Sequence, residues 1–443
     1  NSTFVTRGNY NNGIYADSVA TAANGIPINV KKSNFTIESG TGSNAIYIKE
    51  GYLKLEGDSN LADDNRNYIT VKGSYNNGVH LVHSATGGDS KKAEIKNMIF
   101  NIETPDTFTD IKSGATNNGI YVGGGRTIDE ISNSAFNIKG NKVGTEYVNN
   151  NIGILVGDEH GKAEIAKVEN TTFDVTQTDA NYSNGTDADR TGTGIYMYNG
   201  DVTLDKETTI TGDSNDVFVT IRNRKHNNTL NLKSGGLFGT GTGFFATGDN
   251  NIGINIQDGD SNNSNHADLT IANSSGTDGW ILNFVGKNNI GVKNDYFAKK
   301  LILKNEATTM PGGNGAGSMR IDGEKGIMFA NLGYVHEGKL KLDGVSMAGR
   351  NSTIAAFLNN NYNSRNVDKA TGNIGVFRNG TSGYINLQGV IGGGPSTTKN
   401  SDNTYDSANS VGVYAETGQQ AGTTSDLFAH DVNSLTTGAL TIK

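Results

Sequence analysis

The chain has no cysteine in its 443 residues, so no disulfide fastens it and no thiolate serves it as nucleophile or metal ligand. That absence fits export by a route that penalises premature cross-linking. No run of 18 or more apolar residues occurs, which excludes a membrane-spanning helix within this sequence. The polar start Asn1-Ser2-Thr3 shows no signal-peptide pattern. Basic residues are outnumbered, and the net charge of −8 argues against wholesale binding to nucleic acid or an anionic membrane. Proline is scarce, at 4 residues, whereas glycine is abundant, at 60. Unpatterned glycine at that level signals disorder. Here the glycines sit at fixed places beside alternating Ile, Val and Leu, which signals order.

One phrase supplies the pattern. It reads Asn11-Asn12-Gly13-Ile14-Tyr15 near the start and returns as Asn44-Ala45-Ile46-Tyr47, Asn76-Asn77-Gly78-Val79-His80 and Asn117-Asn118-Gly119-Ile120-Tyr121. Later variants include Asn151-Ile152-Gly153-Ile154, Gly194-Ile195-Tyr196, Asn251-Ile252-Gly253-Ile254 and Asn289-Ile290-Gly291-Val292. A unit recurring every few dozen residues marks a solenoid. Length alone, at ~150 residues per domain, suggests three domains. Stacked coils share one core, so the repeat predicts a single continuous solenoid over residues 1–443.

Each interval holds three short apolar alternations of period 2, for example Ile46/Ile48, Leu53/Leu55 and Ile69/Val71. No stretch sustains helical spacing. The expected fold is therefore all-β, a right-handed parallel β-helix of triangular section with about twelve coils. Intervals range from 22 residues (Gly194 to Asp216) to 41 (Gly78 to Gly119), so the longer ones carry surface loops, at 84–92, 104–116, 177–193, 257–266, 308–323 and 392–410. The repeat asparagines Asn11, Asn76, Asn117, Asn151, Asn251, Asn289 and Asn373 stand two places before the glycine position. They are expected to take left-handed corner angles, to bond their own turn and to ladder from coil to coil.

Strand alternation assigns the faces. With Ile14, Ile46, Val79, Ile120, Ile195 and Val217 inward, the next residues point outward: Tyr15, Tyr47, His80, Tyr121, Tyr196 and Phe218. Leu155 interrupts this aromatic row, and Phe377 and Tyr414 extend it. Two readings follow. The rings stack on one another at strand spacing, or they present faces to sugars or surface proteins.

Other constellations carry less. The stretch Asp258-Gly259-Asp260-Ser261-Asn262-Asn263-Ser264 lacks both the glycine and the glutamate of a calcium loop and reads as a solvated turn. Arg222-Asn223-Arg224-Lys225-His226 reads as a basic turn, His80 and His83 face opposite ways, and Trp280 reads as core. No cofactor or metal site is expected. Polysaccharide-cleaving β-helices need clustered carboxylates, whereas these strand faces offer Asn, Thr, Ser and Tyr, so no catalytic site is expected.

Asn373-Ile374-Gly375-Val376-Phe377 and Asn409-Ser410-Val411-Gly412-Val413-Tyr414, with the strand Gly338-Lys339-Leu340-Lys341-Leu342, resemble repeats in passenger domains of very large autotransporter adhesins from anaerobic Gram-negative bacteria. The resemblance spans most of the chain. It implies a right-handed β-helix held on the cell surface by a C-terminal outer-membrane barrel, active in attachment to host cells and in coaggregation. The ending Ala439-Leu440-Thr441-Ile442-Lys443 reads as a mid-coil strand, so the sequence is expected to be part of a longer passenger. An adhesin segment contacting glycans or surface proteins as a monomer is the first function expected, a stalk spacing a distal binding tip the second, and a polysaccharide-degrading β-helix enzyme the third.

Overall fold

A computed structural model describes residues 2–17, 27–59, 66–84, 91–103, 116–140, 142–143, 146–147, 151–177, 192–214, 216–222, 228–232, 243–257, 268–273, 281–294, 297–298, 300–305, 318–323, 326–331, 334–335, 340–343, 346–350, 354–359, 385–386, 395–399, 405–407 and 411–416.

 Of 268–273, 297–298, 300–305 and the segments from 331 onward, only the backbone is described. The described residues are all strand, turn or bridge apart from one residue of 3-10 geometry, Lys91. They fall into two compact units, Asn1–Asn228 and Thr229–Lys443.

Unit 1 is a parallel β-solenoid with three sides. Sheet A stacks Ser2–Thr6, Ser33–Ile37, Asn67–Val71, Met98–Glu103, Ala135–Gly140, Thr172–Gln177 and Thr209–Gly212. Sheet B stacks Asn12–Asp17, Asn44–Glu50, Asn77–Leu81, Asn117–Val122, Asn151–Val156, Gly192–Met197 and Val217–Arg222. Sheet C stacks Pro27–Lys31, Tyr52–Glu56, Lys92–Lys96, Thr127–Ser132, Ala163–Glu169 and Gly200–Leu204. An antiparallel excursion, Lys142–Val143 against Glu146–Tyr147, leaves the stack after sheet A.

Unit 2 repeats the scheme. Its sheet A holds Gly243–Ala246, Ile281–Val285, Ser318–Asp322, Ser346–Arg350 and Ile385–Asn386. Its sheet B holds Ile252–Gln257, Ile290–Asn294, Ile327–Asn331, Ile354–Asn359 and Val411–Glu416. Asp268–Asn273, Lys300–Asn305 and Leu340–Asp343 form the third side. The parallel solenoid is as expected; with all three sides built, unit 1 completes six turns and unit 2 three, against the about twelve coils expected. A phrase marks only one side, and a turn is complete only where all three sides are built.

The period-2 residues build the core of unit 1. Phe35, Phe100, Phe136 and Phe173 are fully buried on sheet A, and three of their contacts are parallel stacks: Phe4–Phe35 at 4.7 Å, Phe100–Phe136 at 4.6 Å and Phe136–Phe173 at 4.6 Å. Ile46, Val79, Ile120, Ile154 and Ile195 line sheet B, and Leu55, Ile95, Ile131, Val168 and Leu204 line sheet C, all at 1% exposure or less. Burying each such side chain contributes about 1.5–3 kcal/mol, which lets a chain with only 34% hydrophobic residues hold together.

The repeat glycine serves this stack by close approach. None of Gly78, Gly119, Gly153 and Gly194 takes a positive φ. A Cβ on Gly153 would lie 2.5 Å from the Gly194 carbonyl oxygen of the next coil, and one on Gly119 would lie 2.7 Å from the Gly153 oxygen. The left-handed corner residue stands earlier in the phrase, at Tyr10 (φ 57), Tyr75 (φ 54), Asn250 (φ 62) and Asn288 (φ 55). The expectation that the repeat asparagines take left-handed angles is therefore corrected. Their side chains do bond their own turn: Asn76 Nδ2 donates to the Lys72 oxygen at 2.7 Å, and Asn251 Nδ2 to the Gly248 oxygen at 3.0 Å.

Amide ladders also form. Asn118 Nδ2 donates to Asn77 Oδ1 (2.8 Å), Asn77 Nδ2 to Asn44 Oδ1 (2.9 Å) and Asn44 Nδ2 to Asn12 Oδ1 (2.8 Å). The ladder stops where Ile152 replaces asparagine, and the buried Asn118 Oδ1 has no partner.

Candidate functional site

The outward side of sheet B in unit 1 carries the aromatic row expected from alternation. Register pairs Tyr15 with Tyr47, Tyr47 with His80 and His80 with Tyr121. Tyr15 stacks on Tyr47 at 5.4 Å with planes 8° apart. Tyr47 meets His80 edge-on at 5.0 Å, and His80 meets Tyr121 at 4.6 Å. Each such contact contributes about 0.5–1.5 kcal/mol beyond burial. Tyr15, at the upper end, is 56% exposed, whereas Tyr47, His80 and Tyr121 are half-buried.

Two members leave the row. Tyr196 pairs in register with Leu155 on one side and Thr220 on the other. Phe218 is not outward at all and is fully buried. The register is the reason: Val219, not Val217, pairs with Ile195, and Thr220 pairs with Tyr196. Phe218 thereby takes the place of the repeat glycine, with its carbonyl 2.7 Å from where a Cβ on Gly194 would stand. Its ring occupies the space left by Gly212, whose added Cβ would lie 2.4 Å from the ring. The expected inward role of Val217 as partner of Ile195 fails for the same reason.

Electrostatics around the column come from one corner. Arg126 is 1% exposed and donates from Nε to the Val82 oxygen at 2.6 Å and from Nη2 to the Ile48 and Lys49 oxygens. It staples the ends of the two preceding sheet B strands, Asn44–Glu50 and Asn77–Leu81, and burial pulls its guanidinium down to about 10. Burial, with Arg126 nearby, holds His80 down to about 4, so the ring is neutral at pH 7. His80 Nδ1 lies 3.2 Å from Asn44 Oδ1, an acceptor, so Nδ1 carries the proton. Burial raises the Tyr121 hydroxyl, helped by Asp158 at 3.5 Å. Asp158 also accepts from the Gly124, His160 and Gly161 amides at 3.0, 2.8 and 3.1 Å.

Sheet C presents a different surface, a ladder of alternating charge. Lys54 and Lys96 flank Glu94 at 3.6 and 3.7 Å, Lys96 and Lys167 flank Glu130 at 2.6 and 3.6 Å, and Lys167 reaches Glu169 at 3.0 Å. Burial opposes the charge on Glu130, yet hydrogen bonds from Lys96 and Ser132 and the two lysines take it down to about 2. These carboxylates are matched by cations rather than by one another. Among the described residues, no group of three or more His, Asp or Glu is gathered for a metal ion.

Sequence reasoning missed two tyrosines. Tyr10 and Tyr75 stand at the corner before sheet B, 77% and 44% exposed, in left-handed backbone. The signal was present, since both immediately precede Asn-Asn-Gly in the phrase. It also missed the meeting of His83 with His160, 4.9 Å apart, above Gly124. The loop 258–264, Arg224, Lys225, His226, Trp280 and Phe377 lie outside the described residues, as does the side chain of Tyr414. No helix among the described residues is long and apolar enough to cross a membrane. Comparison with known proteins finds no matching family model, no matching curated protein and no matching solved structure.

Proposed function

We propose that this chain is a segment of a bacterial surface adhesin, displayed outside the cell and attaching to glycans or proteins on host cells or other bacteria. The observation that carries the reading is the outward aromatic column Tyr15–Tyr47–His80–Tyr121 on sheet B of unit 1. Folding alone requires the inward residues of those strands, whereas the outward ones are free to be polar. Four rings in one file, ending in an exposed tyrosine, suit contact with an amphipathic partner. The likeness of the repeat phrase to autotransporter passengers supports the surface location and an outer-membrane barrel beyond this sequence. The reading is non-catalytic, and the pairing of the sheet C carboxylates with lysines supports it.

A stalk that spaces a distal tip is the second reading. The near-parallel stack of Tyr15 on Tyr47 favours it, because that contact occupies ring faces a ligand would use. Changing Tyr47, Tyr121 and Tyr196 together to Ala separates the two. Adhesion predicts that attachment of the purified chain to host cells and partner bacteria falls by tenfold or more. A lower melting temperature with attachment intact sinks the adhesive role of the column and leaves the stalk.

A further inference from the structure

Tyr10 and Tyr75 occupy the same place in the phrase, two coils apart, with Gly42 between them at φ 71. A left-handed backbone is costly for a bulky side chain and cheap for glycine or asparagine. Asn250 and Asn288 fill the same place in unit 2. Folding therefore gives no reason for tyrosine here. Both rings are exposed, and neither hydroxyl has a hydrogen-bond partner among the described residues. Backbone strain retained at an exposed aromatic residue points toward a function.

The surroundings define what such a site would take. The Tyr10 ring lies against Gly42, where an added Cβ would be 2.7 Å from Cδ1 and Cε1, so one face is seated and the other is open. Asn9, exposed beside it, uses Oδ1 to accept from the Thr41 amide at 2.9 Å, which orients its Nδ2 group as a donor. The flanking charges are already neutralised, Arg7 by Glu38 at 2.5 Å and Lys72 by Glu103 at 2.8 Å. Among the described residues, the setting is thus exposed ring surface beside amides and hydroxyls, with its flanking charges paired. Among the described residues, an apolar protein surface would find no continuous patch there, and an acidic sugar would find both flanking cations, Arg7 and Lys72, already paired.

We infer that Tyr10 and Tyr75 form a binding site for a neutral sugar chain whose ring faces present C–H groups, as β-linked glucose and N-acetylglucosamine do. The inference rests on the adhesive reading and places its sugar contact at the corner before sheet B rather than on the outward column.

The test uses the whole chain and titrates cellotetraose and chitotetraose by calorimetry, alongside cell attachment. Tyr10→Asn and Tyr75→Asn each install the residue that unit 2 uses at this position. The expected result is about tenfold weaker sugar binding per ring removed, with a melting temperature unchanged or raised. A lowered melting temperature in both variants overturns the inference, because the rings would then serve the fold. Sugar binding that is absent in the parent chain, or unaffected by both substitutions, overturns it too. If cells are still bound in those cases, the adhesive reading stands and only this site falls. If attachment depends on Tyr10 and Tyr75 but survives glycosidase treatment of the cells, the partner is a protein and the sugar assignment is wrong.

Discussion

Units 1 and 2 share their inner residues and differ in their outer ones. On sheet B, Ile46, Val79 and Ile120 of unit 1 correspond to Ile254, Val292 and Phe329 of unit 2, all buried. One residue further, unit 1 has Tyr47, His80 and Tyr121, whereas unit 2 has Asn255, Lys293 and Ala330, each 5% exposed or less. At the corner, unit 1 has Tyr10 and Tyr75 where unit 2 has Asn250 and Asn288. Packing constrains the inner set in both units, so the outer set is where the units are free to take different work.

The comparison breaks first if the inner sets are not equivalent. Gly153→Ala brings a Cβ to 2.5 Å from the Gly194 oxygen, and Gly253→Ala brings one to 2.5 Å from the Gly291 oxygen. Each is expected to cost about 3 kcal/mol, at the upper end for overpacking, read as a drop in calorimetric melting of the unit that carries it. Ala45 shows that some coils open enough for a methyl group at this place. A loss below about 0.5 kcal/mol in one unit only would mean that the two stacks are built differently.

A second difference concerns the ladder. Unit 1 has Asn44, Asn77 and Asn118 where unit 2 has Ile252 and Ile290. Asn77→Ile leaves Asn44 Oδ1 with only its longer His80 contact and strands the Asn118 amide nitrogen, for a cost of about 2 kcal/mol. Asn118→Ile removes an oxygen that already lacks a partner and strands only Asn77 Oδ1. It should cost less than half as much by chemical denaturation. Equal losses would show that the amides act independently rather than as a ladder.

The legible part of this molecule is what depends on neighbours in sequence. Alternation located Phe35, Ile46, Leu55 and their kin correctly, because the strand period is local. What was missed depends on the next coil. Gly153 is required by a carbonyl 41 residues away in Gly194, a contact no local pattern displays. Phe218 was assigned to the wrong face because its coil lacks the phrase glycine that marks register, and only pairing with Ile195 and Tyr196 settles it. Alternation placed Tyr15, Tyr47, His80 and Tyr121 in one file, but their stacking geometry needed the coil spacing.

The smallest effect sharpens the comparison of the outer faces, because it belongs to unit 1 alone. His80 is held down to about 4 in the folded chain, against an ordinary value of 6.5. Below pH 6.5 the unfolded chain therefore binds a proton that the folded chain refuses until about pH 4. Stability is unaffected above that window and falls as pH drops through it, by up to about 2 kcal/mol between pH 6.5 and 5. His80→Tyr extends the tyrosine file and removes the titrating group, so it should flatten the acid loss of unit 1 and leave unit 2 unchanged. Melting measured at pH 7 and pH 5 on both chains decides the matter. A parent chain that loses nothing over this interval would mean that His80 accepts its proton while still packed between Tyr47 and Tyr121. The column would then be open enough to solvate a charge, and the contrast with the closed Asn255–Lys293 file of unit 2 would widen.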